Sequence, residues 1–158
     1  MKVSSTVWRT AGLGAISGLR FTSGLVLLSR TAARGEISLE ETPFGFLGSR
    51  KVSTVLQLMF LGELIGDKLP GVSPRTTLPP LLGRAVSGAF VGAVLFASEE
   101  RRSAAGALIG AGSAVVAAFA GERLRAAVVE RTGAPDPLVG MAEDAVVLAI
   151  GTRSLRAE

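Results

Sequence analysis

At 158 residues the chain has room for one domain, and its balance of 48% apolar to 19% charged residues, with a mean hydropathy of +0.47, excludes a disordered chain. It contains no cysteine, histidine or tyrosine, which removes disulfides, thiolate or imidazole metal sites and any Ser-His-Asp triad; no metal, cofactor or enzymatic activity is expected. The formal charge of +4 comes from arginines dispersed between apolar runs rather than a basic stripe interleaved with stacking aromatics, so nucleic acid is set aside as a partner and the lipid bilayer takes its place.

Five apolar segments follow in chain order, each to be measured against the roughly 20 residues that cross a bilayer as a helix. Residues 10–29 form the first, with Arg20 at its middle; Lys2 and Arg9 precede it, and Arg30 with Arg34 follow too soon for a signal-peptide cleavage site, so a retained span is expected. The stretch from Arg30 to Lys51 is polar, with room for one interfacial turn of helix. Residues 52–69 form the second span, apolar until Glu63 and then carrying Asp67 and Lys68. Prolines at 70, 74, 79 and 80 break the chain before the third, 78–97, which has Arg84 near its start. A short charged turn, Ser98–Arg102, suits two antiparallel neighbours and leads to the fourth span, 103–121, which is uncharged throughout. A linker rich in charge and stop signals precedes the fifth and shortest, 137–152, centred on Glu143 and Asp144.

These segments predict an all-α integral membrane bundle of four to five transmembrane helices in one domain, a multi-pass protein of the cell membrane. A soluble α-bundle would carry a polar stripe on every helix. Between Ser103 and Gly121 the only polar side chains are Ser103 and Ser113. With five crossings, Lys and Arg divide evenly between the two sides, so charge gives no orientation.

Four GxxxG pairs lie one in each of the first four spans: Gly14 with Gly18, Gly62 with Gly66, Gly88 with Gly92, and Gly106 with Gly110. Each flattens a helix face so that two backbones can approach, which predicts packing within the bundle and is compatible with a homo-oligomer. Charges inside spans are costly, face the interior and find partners. Arg20 would lie about 15 Å from either end of its helix. Glu63 and Asp67, four residues apart, share a face, whereas Glu143 and Asp144 point about 100° apart and can both face inward only by straddling an interface.

Gly18-Leu19-Arg20-Phe21, the segment Gly62-Glu63-Leu64-Ile65-Gly66-Asp67-Lys68-Leu69-Pro70 and the late Glu143-Asp144 pair together resemble domain of unknown function family 4126. The resemblance covers nearly the whole chain. It implies a small multi-pass bacterial membrane protein without an assigned activity, in which Arg20, Glu63, Asp67, Lys68, Glu143 and Asp144 form one constellation. Two functions fit such a constellation: a transporter or channel for a cation or proton, or a non-transporting scaffold or assembly partner whose buried charges are structural ion pairs.

Overall fold

A computed structural model describes residues 2–66 and 74–156. Among these the chain is entirely helical, with no strand. It comprises α1 (Lys2–Leu19), α2 (Ser23–Ala33), a 3₁₀ turn (Gly45–Gly48), α3 (Arg50–Gly66), α4 (Leu78–Ser98), α5 (Ser103–Thr132) and α6 (Asp136–Arg156). Pro79 and Pro80 stand in the first turn of α4, where a missing N–H costs nothing, so these prolines start the helix rather than hold it off. The expected fourth and fifth segments are both longer as helices. Helix α5 continues through Glu122–Thr132 and stops at Gly133, whose φ of 65° lets its N–H reach the carbonyl of Val129 at 2.9 Å. Helix α6 extends four residues beyond the expected 152.

The α4–α5 turn closes the same way without a glycine. Glu100 N–H bonds the carbonyl of Ala97 and Arg101 N–H that of Phe96, at 3.1 and 2.8 Å, which forces Glu100 to φ 54°. Arg101 stacks over the Phe96 ring at 5.6 Å. A side chain at this φ carries a steric penalty that glycine lacks, so Glu100→Gly is expected to raise unfolding stability by about 0.5–1 kcal/mol. A lower denaturation midpoint for that variant would contradict the assignment.

Helices α1, α4 and α5 meet backbone to backbone. A β-carbon at Gly14 would lie 2.6 Å from the carbonyl oxygen of Gly110, and one at Gly88 would lie 2.5 Å from the same atom. Gly92 faces Gly106, and Gly18 lies against Ala114, equally closely. Three of the four GxxxG pairs therefore do what the spacing predicts. Gly62–Gly66 does not: around both residues there is open space, because α3 presents this face outward.

The largest departure from expectation is in residues 10–29. They are not one helix: the helix stops at Leu19, the chain turns through Arg20, Phe21 and Thr22, and α2 folds back on α1. In one straight helix Gly24 would sit about 16 Å along the axis from Leu13. Instead, a β-carbon on Gly24 would be 3.0 Å from the Leu13 carbonyl and would collide with the Ser17 hydroxyl. Ser23 holds the turn by donating to the carbonyls of Ile16 and Arg20 at 2.7 and 2.8 Å. Arg20 is accordingly at the end of a helix and not at its middle.

This reversal sets the direction of everything after it. Gly14 and Gly18 meet Gly110 and Ala114 in rising order, so α1 and α5 are parallel, while Gly88 and Gly92 meet Gly110 and Gly106 in falling order, so α4 runs the other way. Glu63 reaches the Phe21–Thr22 turn and Asp144 reaches Arg20, which aligns α3 with α1 and opposes α6 to it. The helices thus alternate up and down. Among the described residues two helices, α4 and α5, are long and apolar enough to cross a membrane, fewer than the four or five expected; α2, at 11 residues, is too short.

Polarity is distributed inside out. Alongside Leu13, Ile16, Leu28, Val91 and Leu95, the interior holds Thr6, Thr10, Ser17, Arg20, Thr22, Ser23, Ser29, Arg84 and Ser87, all nearly inaccessible. The outer surface carries Leu108 at 76% exposure, Ile65 at 68%, Val86 at 65% and Leu58 at 63%, with further large apolar residues on every one of the helices but α2.

Candidate functional site

The Arg20–Thr22 turn leaves two helix ends facing one another, the C-terminus of α1 and the N-terminus of α2. Each receives the charge that its dipole favours. Arg20, only 3% exposed, ends α1 and donates through Nε and Nη2 to the Asp144 carboxylate on α6. Glu63, from α3, accepts the backbone N–H of Phe21 at 2.6 Å and that of Thr22 at 2.9 Å, together with the Thr22 hydroxyl at 2.6 Å. The carbonyl of Phe21 takes the Ser87 hydroxyl from α4 at 2.6 Å. Three other helices, α3, α4 and α6, thereby tie down a three-residue turn, and its polar backbone groups are satisfied as a buried break requires.

Glu143 and Asp144 straddle an interface, as adjacent helical residues must when both find partners. Asp144 faces Arg20. Glu143 turns toward α5 and the segment before α4, where Arg75 grips it with both terminal nitrogens, Nη2 at 2.9 Å. Gly121 makes room for this pair: a β-carbon there would sit 3.1 Å from the Arg75 guanidinium and 3.3 Å from the Glu143 carboxylate. Arg125 stands 3.7 Å from Glu143 Oε2, the oxygen that also accepts from Arg75 Nη2, and forks onto Asp136 at 2.8 and 2.6 Å. Beside them Glu122 accepts the Thr76 N–H at 3.2 Å and its hydroxyl at 2.8 Å. The Arg125 hydrogen bond holds the exposed Asp136 carboxyl below its ordinary range, against the smaller opposing effect of burial. That contact therefore contributes above the ordinary carboxylate pKa and is lost as pH falls through the lowered one.

Of the six sequence-predicted site residues, Arg20, Glu63, Glu143 and Asp144 gather at one end of the bundle. Asp67 and Lys68 lie outside the described residues. Sequence reasoning missed Arg75, Glu122, Arg125, Thr22, Ser23 and Ser87. Arg75 sits in a proline-rich connection that reads as an interfacial loop, and nothing local marks it as the partner of an acid 68 residues away. Thr22 and Ser23 did carry a signal: two hydroxyls next to an arginine in an apolar run mark a place where backbone groups can be satisfied off the helix.

Among the described residues the acids of this cluster are all engaged, by a guanidinium, by backbone amides or by a threonine. No curated protein and no solved structure matches the chain. The profile of the family described as Domain of unknown function (DUF4126) matches residues 7–157, practically the full length, and it covers the turn, Glu63 and the Glu143–Asp144 pair alike. The chain belongs to that family.

Proposed function

We propose that the chain is a multi-pass membrane protein in which α4 and α5 cross the bilayer and the other helices pack around them, and whose buried charges are fixed structural pairs, so that it serves as a membrane scaffold or assembly partner. The inside-out distribution of polarity carries this reading: an aqueous solvent would leave Leu108, Ile65, Val86 and Leu58 exposed while burying a lining of hydroxyls and arginines. Hydrocarbon outside and paired polar groups inside remove both penalties. The up-and-down order of the helices also gives the charges an orientation that five crossings did not. The N-terminus, the residues between α2 and α3, and the α4–α5 turn then share one end, which collects Arg30, Arg34, Arg50, Lys51, Arg101 and Arg102. At the opposite end Arg20, Arg75 and Arg125 are neutralised by carboxylates. The positive-inside tendency makes the first end cytoplasmic.

Because the chain has no cysteine, single cysteines report topology without background. In sealed inverted vesicles, an impermeant maleimide is expected to label Ser5→Cys and Gly35→Cys from the same side, and Ala134→Cys only after permeabilisation. Labelling of positions 5 and 35 from opposite sides would restore a single first span, and a chain washed off membranes by alkaline carbonate would remove the membrane reading altogether.

The transport of a cation or proton is the second reading, supported by the broken helix at Arg20–Thr22, since discontinuous helices with charged ends build the sites of many transporters. It differs in one measurable respect. In proteoliposomes the scaffold reading expects no ion or proton flux from the wild type, with Glu63→Gln lowering stability by about 1–2 kcal/mol through a weakened acceptor. Wild-type flux that disappears in a stably folded Glu63→Gln variant would reverse the choice.

A further inference from the structure

Between α2 and α3 lies a cleft of about 170 Å³, walled by Val26, Leu27, Phe60 and Leu61. Its inner end is closed by Ser23, whose hydroxyl is committed to the carbonyls of Ile16 and Arg20. Its other end carries Gln57 and Arg30. The Gln57 amide nitrogen is spent on Ser53, at 3.1 and 3.2 Å. Arg30 is exposed and, among the described residues, makes no ion pair. The volume falls below the roughly 300 Å³ at which compact drug-sized ligands begin, and the walls offer no polar recognition along their length. A single hydrocarbon chain suits them.

The surroundings of the Arg30 end specify what the chain is attached to. Arg34 follows Arg30 by one turn and caps α2, and α3, which runs antiparallel to α2, begins at that end with Arg50 and Lys51. All are exposed, and the nearest counter-charge to Arg34 is Glu36 at 3.8 Å. The C-terminal end of the α2 dipole adds a carbonyl field that keeps these cations in place. The pattern is one apolar slot whose rim carries four exposed cations, of which Arg34 alone, among the described residues, meets a carboxylate.

We infer that this cleft seats the headgroup-proximal part of one acyl chain of an anionic phospholipid from the cytoplasmic leaflet, with the phosphate on Arg30 and the neighbouring basic residues around the headgroup. The inference rests on the membrane reading above and adds a ligand class to a face that reading leaves undefined. Each basic side chain near an anionic headgroup favours binding about fivefold. Phosphatidylglycerol should therefore be retained over phosphatidylcholine by about 25-fold if two of the four cations engage it.

The full-length protein, purified in detergent, would be incubated with an equimolar mixture of dioleoyl phosphatidylglycerol and dioleoyl phosphatidylcholine, and retained lipid counted by native mass spectrometry. Wild type is expected to keep one phosphatidylglycerol. Arg30→Gln is expected to lose the headgroup preference, and Leu61→Trp, which fills the cleft from an exposed position, to lose the lipid; the thermal midpoint of each variant verifies that it is folded. Equal retention of the two lipids by the wild type, or a preference unchanged in both variants, overturns the inference while leaving membrane insertion intact. A chain released from membranes by alkaline carbonate overturns the membrane reading and this inference together, so the two failures are told apart.

Discussion

Replacing Arg20 with methionine is expected to destabilise the bundle by about 3–5 kcal/mol, because Asp144 would be left buried opposite an apolar side chain. Asp144 is only 14% exposed, so water cannot take over the role of the guanidinium. The cost belongs to the broken pair and not to the missing attraction, which makes the second half of the experiment decisive. Arg20→Met combined with Asp144→Leu removes both charges and is expected to recover most of the loss, since a buried pair replaced by well-packed apolar groups is often neutral or better. Equilibrium unfolding in mixed micelles of the two single variants and the double variant gives the coupling directly. Additive losses, with no recovery, would mean that each side chain contributes independently and that the pair does not hold α6 to the turn.

The second large effect is expected at Gly110. Its carbonyl is the point on which both Gly14 of α1 and Gly88 of α4 close, and a β-carbon on Gly110 would itself collide with the Gly88 backbone. Overpacking usually costs about 1–3 kcal/mol when side chains can move aside; here the obstruction is backbone, so Gly110→Leu should lose about 3 kcal/mol or more. Gly112, two residues away, has open space around it, and Gly112→Ala should be neutral or stabilising. If both substitutions unfold at the midpoint of the wild type, the three helices do not meet through this surface.

These two sites show what was legible in the sequence and what was not. Helices α4 and α5 and the turn between them were readable because apolar length and a short charged connector are local properties. The glycine faces were readable for the same reason, yet spacing alone could not tell the three pairs that pack from Gly62–Gly66, which differs only in having no helix opposite. The break at Arg20–Thr22 was invisible to hydropathy: residues 10–29 have the composition of one span, and what interrupts them is a carboxylate on α3, a hydroxyl on α4 and an acid on α6. The even division of cations between the two sides was the one numerical trace of the missed reversal, because a single additional change of direction moves the N-terminus to the other end of the bundle. For the candidate site, Arg20, Glu63, Glu143 and Asp144 were found as charges inside apolar segments, whereas Arg75, Arg125 and Glu122 fell in the connections between them.

The contacts that close the turn also fix an order in time. Glu63 is made about 40 residues after Phe21 and Thr22, but Asp144 follows Arg20 by 124 residues. At about 5–20 residues per second, ribosomes deliver that partner some 6–25 seconds late. Throughout that interval the nascent protein carries Arg20 without Asp144, so the contact between the first hairpin and the last helix closes only when α6 arrives. Premature termination anywhere before α6 would leave the turn without its link to the last helix, giving quality-control proteases a recognisable fault in any unfinished copy.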